Sequence, residues 1–107
     1  MMKLIFAIVN SDDASPVSVE LTKKGYIVTK LSTTGGFLKV GNTTFLIGVE
    51  EEKVEDVIAT IRTYSSKRKQ AVPNLTAFPG DTLTMPMEVM VGGATIFVTD
   101  VARFEKF

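Results

Sequence analysis

The residues best suited to chemistry form a run of small and polar residues between two apolar segments. Residues 33–48 contain four glycines, four threonines and one asparagine. Glycine lets the backbone adopt positive φ or approach another surface closely, and hydroxyl and amide groups can bind donor and acceptor edges. Phe37 and Leu38 add apolar bulk that can flank a planar ring. This pattern predicts either a binding loop for a flat, polar-edged ligand or a hairpin with Phe37 in the core.

The residues that could support catalysis favour a structural role instead. The carboxylates cluster at expected helix starts, where they cap helices and oppose the helix dipole: Asp12, Asp13, Glu50, Glu51, Glu52, Glu55 and Asp56. The chain has no cysteine and no histidine, which excludes Cys/His zinc sites, thiol nucleophiles and histidine acid–base chemistry. The sequence also lacks a phosphate-binding P-loop. We therefore expect no enzyme activity, catalytic residue, metal or cofactor; a hydrolase that uses these carboxylates is the alternative.

The composition indicates a water-soluble domain without a nucleic-acid or membrane surface. Lysine plus arginine number 12, and aspartate plus glutamate also number 12, in a chain of 107 residues. A neutral balance argues against binding to polyanions, which requires a basic surface. No apolar run reaches the roughly 20 residues of a membrane span, and the apolar start fits a buried strand better than a signal peptide. The expected location is the cytoplasm.

Hydrophobic periodicity predicts four strands and two helices. The clearest helix has apolar residues at i, i+3, i+4 and i+7 from Val54 to Ile61. In the first helix, Pro16 fits only the first turn and Gly25 fits the C-terminal cap. The predicted strands cover residues 3–9, 26–31, 43–49 and 87–98, the last interrupted at Gly92 and Gly93, and the predicted helices cover 13–24 and 51–65.

The order β-α-β-β-α-β predicts an α+β, ferredoxin-like domain over residues 1–107, with an antiparallel sheet and both helices on one face. Flexible loops are expected at about 33–43, which is rich in glycine, and at about 66–86, which lacks a periodic pattern. The basic run 67–69 lies in the second loop, where it is either solvated or in contact with phosphates. The helix-free face of such a sheet is expected to pack against another subunit.

Several segments together resemble the PII-like cyclic di-AMP receptor family, and the likeness covers essentially the whole chain. The segments are MKLIFAIV at 2–9, TKL at 29–31, TTGGFL at 33–38, GNTTFL at 41–46 and VGGATIFV at 91–98. The resemblance implies a cytoplasmic homotrimer with the PII-type ferredoxin-like fold and no enzyme activity. It also implies three equivalent clefts between subunits, each binding one cyclic di-AMP, with the mobile loop at 66–86 relaying the signal to a downstream protein.

The resemblance further implies a set of ligand-binding residues. Thr29 and Asn42 would make polar contacts with an adenine, while Gly36 and Gly48 would offer backbone contacts. Phe37, Leu38 and Phe97 would pack against the ligand, and Gly92 and Gly93 would lie nearby.

Two positions differ from well-known receptors of this family, which carry an asparagine and an arginine where this chain has Gly25 and Ile27. Gly25 offers no side chain and Ile27 offers no charge. Two alternatives therefore stay open: binding of a different adenine nucleotide or small ligand, and a trimeric adaptor that works without a ligand.

Overall fold

The computed structural model describes residues 1–31, 41–72 and 87–107. Its elements, in chain order, are β1 (Met2–Asn10), α1 (Ser11–Lys23), β2 (Val28–Leu31), β3 (Asn42–Glu50), a 3₁₀ turn (Glu51–Lys53), α2 (Val54–Ser65), β4 (Arg68–Val72), β5 (Met87–Val91) and β6 (Ala94–Asp100). The predicted β-α-β-β-α-β order is confirmed, with β6 as the last strand of the main sheet. Strand β4, and its pairing with β5 in a separate two-stranded sheet, form an addition that the sequence pattern did not predict.

The main sheet has the strand order β2-β3-β1-β6, and its neighbouring strands are antiparallel. This order places β1 and β3 at the centre and β2 and β6 at the edges. Both helices pack on one face, where Ile5, Ala7 and Val9 of β1 are buried. The rest of the core comes from α1, β3 and α2: Ala14, Val17, Leu21, Phe45, Ile47, Val49, Val57 and Ile61. The α+β fold expected from the sequence is therefore confirmed.

Helix α1 begins earlier than its predicted start at residue 13. The Asn10 side chain caps the helix by accepting a 2.9 Å hydrogen bond from the backbone N–H of Asp12. Pro16 consequently lies in the second turn rather than the first. The helix ends as predicted at a glycine: Gly25 has a φ of +91°, and the N–H groups of Gly25 and Tyr26 donate to the carbonyls of Thr22 and Leu21.

A polar cluster joins the end of α1 to α2. Lys24 Nζ lies 2.7 Å from Thr60 Oγ1 and 3.3 Å from Asp56 Oδ1. The Tyr26 hydroxyl donates a 2.5 Å hydrogen bond to Asp56 Oδ2. This hydrogen bond is the main reason why the pKa of Tyr26 is raised to about 12, and desolvation of the phenol adds to it.

The raised pKa of Tyr26 predicts that the free energy of unfolding falls between pH 10 and about 12. In that window the unfolded chain loses the phenol proton while the folded chain keeps it, so rising pH favours unfolding. Urea unfolding of the wild type and Tyr26→Phe at several alkaline pH values checks this. We expect the stability advantage of the wild type over the variant to shrink through this window, and a constant difference would contradict the assignment.

The region after α2 differs from the sequence-based expectation. Residues 68–72 form β4, which pairs with β5 from Arg68 opposite Val91 to Val72 opposite Met87. The predicted long strand over 87–98 was wrong, because it is two strands in two different sheets. Gly92 and Gly93 separate them with φ values of +83° and +86°, which extended strands do not adopt. The β4–β5 pair is called the ribbon below, and the expected loop residues 73–86 lie outside the described residues.

Candidate functional site

The sheet face opposite the helices carries most of the predicted site residues that the structure describes. On β1 and β3 this face consists of even-numbered residues, because the odd-numbered ones, from Ile5 onward on β1 and from Thr43 onward on β3, are buried under the helices. We call it the open face. Its large apolar side chains are Leu4, Phe6, Ile8, Leu31, Leu46 and Phe97, and its other members include Thr29, Thr44, Gly48, Thr95 and Thr99.

One row across the open face joins Thr29 to Phe97. Thr29 on β2 is paired with Leu46 on β3, Leu46 with Phe6 on β1, and Phe6 with Phe97 on β6. Directly paired residues of antiparallel strands project to the same face. Thr29 is exposed, and Phe97 is 58% exposed although it is a large aromatic residue. The two predicted contacts therefore stand at opposite ends of one apolar row.

Gly48 lies in the next row of the open face, paired with Leu4. Its backbone is extended, so no positive φ requires a glycine there. A Cβ added to Gly48 would meet only the flexible end of Met2, at an ordinary 3.6 Å. Packing among the described residues therefore does not explain this glycine. A glycine inside a strand is typical of a position that another backbone or a ligand approaches closely.

Two further polar residues of β3 lie near its start. Asn42 is paired with Asn10 at the end of the sheet. Thr44 is buried, and among the described residues its hydroxyl has no hydrogen-bond partner. A buried hydroxyl without a partner costs about 1–3 kcal/mol. Near the start of β3, Asn42 is therefore half-buried and can contact a ligand, whereas the Thr44 hydroxyl is covered.

The remaining predicted site residues fall in two groups. Gly36, Phe37 and Leu38 lie outside the described residues. Gly92 and Gly93 contact the base of the ribbon: Cβ atoms added there would lie 2.6 Å from Arg68 Nη1 and 2.8 Å from Lys67 Cγ. This crowding gives the two glycines a packing reason that is independent of any ligand.

Four of the seven carboxylates that the sequence placed at helix starts make structural contacts. Asp13 binds Arg68, Asp56 binds Lys24 and Tyr26, Glu50 lies 3.4 Å from the amino terminus, and Glu51 lies near Lys3. Within residues 1–31, 41–72 and 87–107, no group of three or more acidic residues is placed to hold a metal ion. No helix in the described part of the chain is long and apolar enough to cross a membrane.

Residues 2–107 match the profile of the cyclic di-AMP receptor family. The chain belongs to this family. The match spans both the open face and the ribbon, and it gives the receptor a ligand class that the geometry alone does not specify. The family binds cyclic di-AMP, a cyclic dinucleotide with two adenines, two riboses and two phosphates.

Two solved structures support the same fold for this cyclic di-AMP receptor. A functionally unknown protein from Pediococcus pentosaceus is 43% identical, with a TM-score of 0.77 over 99% of this chain and 97% of its own. PII from Arabidopsis thaliana, bound to citrate, is 26% identical, with a TM-score of 0.54 over 94% of this chain and 74% of its own. The receptor is therefore similar in fold to PII proteins.

Sequence reasoning missed part of the receptor's open face. Phe6 and Leu46 connect Thr29 to Phe97 in one row, but neither residue was singled out. The signal was available in principle, because Phe6 stands in a strand that is apolar on both faces. Only the strand order and the register show which residues share its row.

Proposed function

We propose that this protein is a cytoplasmic, non-enzymatic signalling receptor that binds cyclic di-AMP between the subunits of a homotrimer. One nucleotide would bind in each of three clefts to which the open faces contribute. Residues 32–40, the ribbon and residues 73–86 would then signal to a protein partner whether the ligand is bound. Membership of the cyclic di-AMP receptor family and the PII-like fold support this proposal.

The separation of the predicted contacts supports a cleft that is shared between subunits. Thr29 and Phe97 stand on β2 and β6, three strand spacings apart in one sheet. Neighbouring strands are about 4.8 Å apart, so this separation is about 14 Å. A single adenine is too small to contact both side chains of one chain. Binding between subunits lets the β6 edge of one chain approach the β2 edge of another.

The environment of Gly48 is the strongest structural support for the proposed site. It is an exposed glycine in the interior of a strand, without a backbone or packing reason among the described residues. In the proposed cleft, the missing side chain lets the purine edge or a neighbouring backbone come within hydrogen-bond distance of the strand. The unpartnered Thr44 hydroxyl lies two rows away on the same face.

Each predicted site residue has a role in this proposal. Thr29 and Asn42 hydrogen-bond an adenine from two different chains, because Thr29 is paired with Leu46, which lies four residues or about 13 Å along β3 from Asn42. Gly36 and Gly48 supply backbone contacts, and Phe97 packs on the base with Phe37 and Leu38. Gly92 and Gly93 act indirectly, because their crowded contacts fix the start of β6. Phe97 is the fourth residue of that strand.

A thermal-shift assay with a nucleotide panel tests the ligand assignment. The panel contains cyclic di-AMP, cyclic di-GMP, ATP and AMP. A ligand at 100 times its Kd stabilises the folded state by about 2.7 kcal/mol, so we expect cyclic di-AMP to raise Tm by several degrees and the others to have smaller effects. Light scattering on the same samples should give the mass of a trimer. If no nucleotide changes Tm, the trimeric adaptor that works without a ligand is the remaining alternative.

One observation weakens the assignment of cyclic di-AMP and leaves a different adenine nucleotide as the second candidate ligand. Ile27 is 69% exposed and immediately precedes β2. If the β2–β3 register continues by one residue, Ile27 stands opposite Gly48. An apolar side chain there offers no charge to a phosphate. A larger thermal shift with ATP than with cyclic di-AMP would favour this candidate, and nucleotide turnover measured with and without magnesium separates both from a hydrolase.

A further inference from the structure

The first turn of α1 is bonded to the residues where the chain returns from 32–40. The backbone N–H of Ser11 donates a 2.7 Å hydrogen bond to the carbonyl of Gly41. The hydroxyls of Ser11 and Thr43 lie 3.1 Å apart and share a hydrogen bond. Asn42, the predicted ligand contact, stands between these two attachment points and is paired with Asn10. A displacement at residues 41–43 therefore acts directly on the start of α1.

The same turn of α1 is bonded to the base of the ribbon. Asp13 is 4% exposed and is the most buried carboxylate of the described residues. Arg68, the first residue of β4, binds it with both terminal guanidinium nitrogens, Nη2 to Oδ1 at 2.8 Å and Nη1 to Oδ2 at 3.3 Å. This geometry is a bidentate arginine–carboxylate pair, which fixes orientation as well as distance.

The base of the ribbon adds further contacts around the pair, in which Asp13 is buried and the Arg68 side chain is half exposed. Arg68 Nη1 also donates to the carbonyl of Ser66, at 3.3 Å. A Cβ on Gly92 would lie 2.6 Å from both Arg68 Nη1 and Ser66 O, and 3.3 Å from Asp13 Oδ2. The N–H of Gly93 donates to the carbonyl of Ser65. Arg68 at the start of β4 thus binds the carboxylate of Asp13, and Gly92, the residue after β5, leaves room for this pair.

We propose that the Asp13–Arg68 pair couples the start of β3 to the ribbon, so that ligand binding at one changes the order of the other. Ser11 is hydrogen-bonded to residues 41 and 43. Asp13, two residues later on the same helical turn, is bonded to Arg68 of the ribbon. This inference rests on the proposed function for the ligand that drives the coupling. The physical link itself is a property of the ligand-free chain, and it can be tested without nucleotide.

Amide hydrogen exchange of full-length protein tests the link. The test variant is Arg68→Gln, and the matched control is Arg103→Gln, which removes an exposed pair with Glu105 at 2.7 Å. Without ligand, Arg68→Gln is expected to accelerate exchange in the ribbon and also at Ser11 and residues 41–44, by about 5-fold or more, the lower end of typical coupling. The control should leave both regions unchanged.

The result that overturns the coupling is faster exchange confined to the ribbon, with Ser11 and residues 41–44 as in the wild type. Because Asp13 loses its partner in Arg68→Gln, a second variant, Arg68→Lys, keeps a positive charge at this position. It is expected to show the same pattern with a smaller change. If Arg68→Gln fails to fold, Arg68→Lys decides between the two outcomes.

A second arm adds cyclic di-AMP and separates this inference from the proposed function. In the wild type, the nucleotide should slow exchange at residues 41–49 and in the ribbon. In Arg68→Gln, protection at 41–49 should remain while protection of the ribbon is lost. Ribbon protection that survives in Arg68→Gln contradicts the coupling but not the receptor function. Absence of any binding in the wild type contradicts the receptor function, and the ligand-free arm still decides on the link.

Discussion

Gly48→Val is expected to abolish cyclic di-AMP binding while the chain stays folded. The position tolerates a side chain within the chain, since a Cβ there meets only the end of Met2 at 3.6 Å. A strand interior also favours valine over glycine, because glycine loses more backbone entropy on folding. A ligand or a neighbouring chain that approaches Gly48 closely would be displaced. Isothermal titration of the variant measures the loss, and we expect Kd to rise at least about 100-fold.

Lys30→Val is the matched control for Gly48→Val. Lys30 is also exposed on a strand but is paired with Phe45, and it therefore lies on the helix side of the sheet. The Lys30→Val variant should bind cyclic di-AMP as the wild type does. Light scattering separates two causes of a loss: a trimeric Gly48→Val without binding indicates a blocked ligand site, whereas a dissociated one indicates a blocked subunit contact. A Kd equal to that of the wild type would contradict the proposed role of Gly48.

Phe97→Ala is expected to weaken binding by roughly 5- to 150-fold. This range corresponds to the about 1–3 kcal/mol that an aromatic side chain contributes by stacking on a base. Phe97 is 58% exposed on the open face, so its removal leaves no cavity in the core under the helices. Isothermal titration gives the change in Kd, and urea unfolding shows whether stability is retained.

Val98→Ala is the matched control for Phe97→Ala. Val98 is the next residue of β6 and is 43% exposed, but it is paired with the buried Ile5 on the helix side. It should change Kd by less than about 2-fold, a fraction of a kcal/mol. If the two variants bind equally well, the open face is not the ligand surface.

Local sequence patterns predicted a helix or strand wherever burial repeats along the chain with the period of that element. The stripe on α2 is the clearest case, because Val57 and Ile61 are completely buried. The glycine cap at Gly25 was predicted for the same reason, since a positive φ is a local requirement. The start of α1 was predicted two residues late, because the side chain of Asn10 caps the helix ahead of the Ser-Pro signal.

Features that depend on contacts between distant residues were missed. Strand β4 begins Arg-Lys-Gln, a polar run without apolar alternation, and its partner β5 lies across residues 73–86. Arg68 and Asp13 are 55 positions apart, and nothing near either residue indicates the pair. The sequence also attributed Gly92 and Gly93 to one strand, whereas their positive φ values divide two strands.

The candidate site could be predicted only in part, because its residues come from strands that are distant in the sequence. The resemblance singled out Thr29, Gly48 and Phe97 as separate positions, and the register places all three on one face. The row that joins Thr29 to Phe97 passes through Leu46 and Phe6, and it exists only once four strands are in order. Side-chain type indicated what could bind, but the sheet determines which residues share a surface.

Isothermal titration of the full-length protein with cyclic di-AMP is the most direct test of the central claim. A receptor with one cleft per subunit should bind one cyclic di-AMP per chain, or three per trimer, and the sample should have the mass of a trimer by light scattering. Saturable binding at this stoichiometry, weakened by Phe97→Ala and unaffected by Val98→Ala, is the expected result. No binding heat at high micromolar nucleotide, together with an unchanged Tm, would contradict the claim.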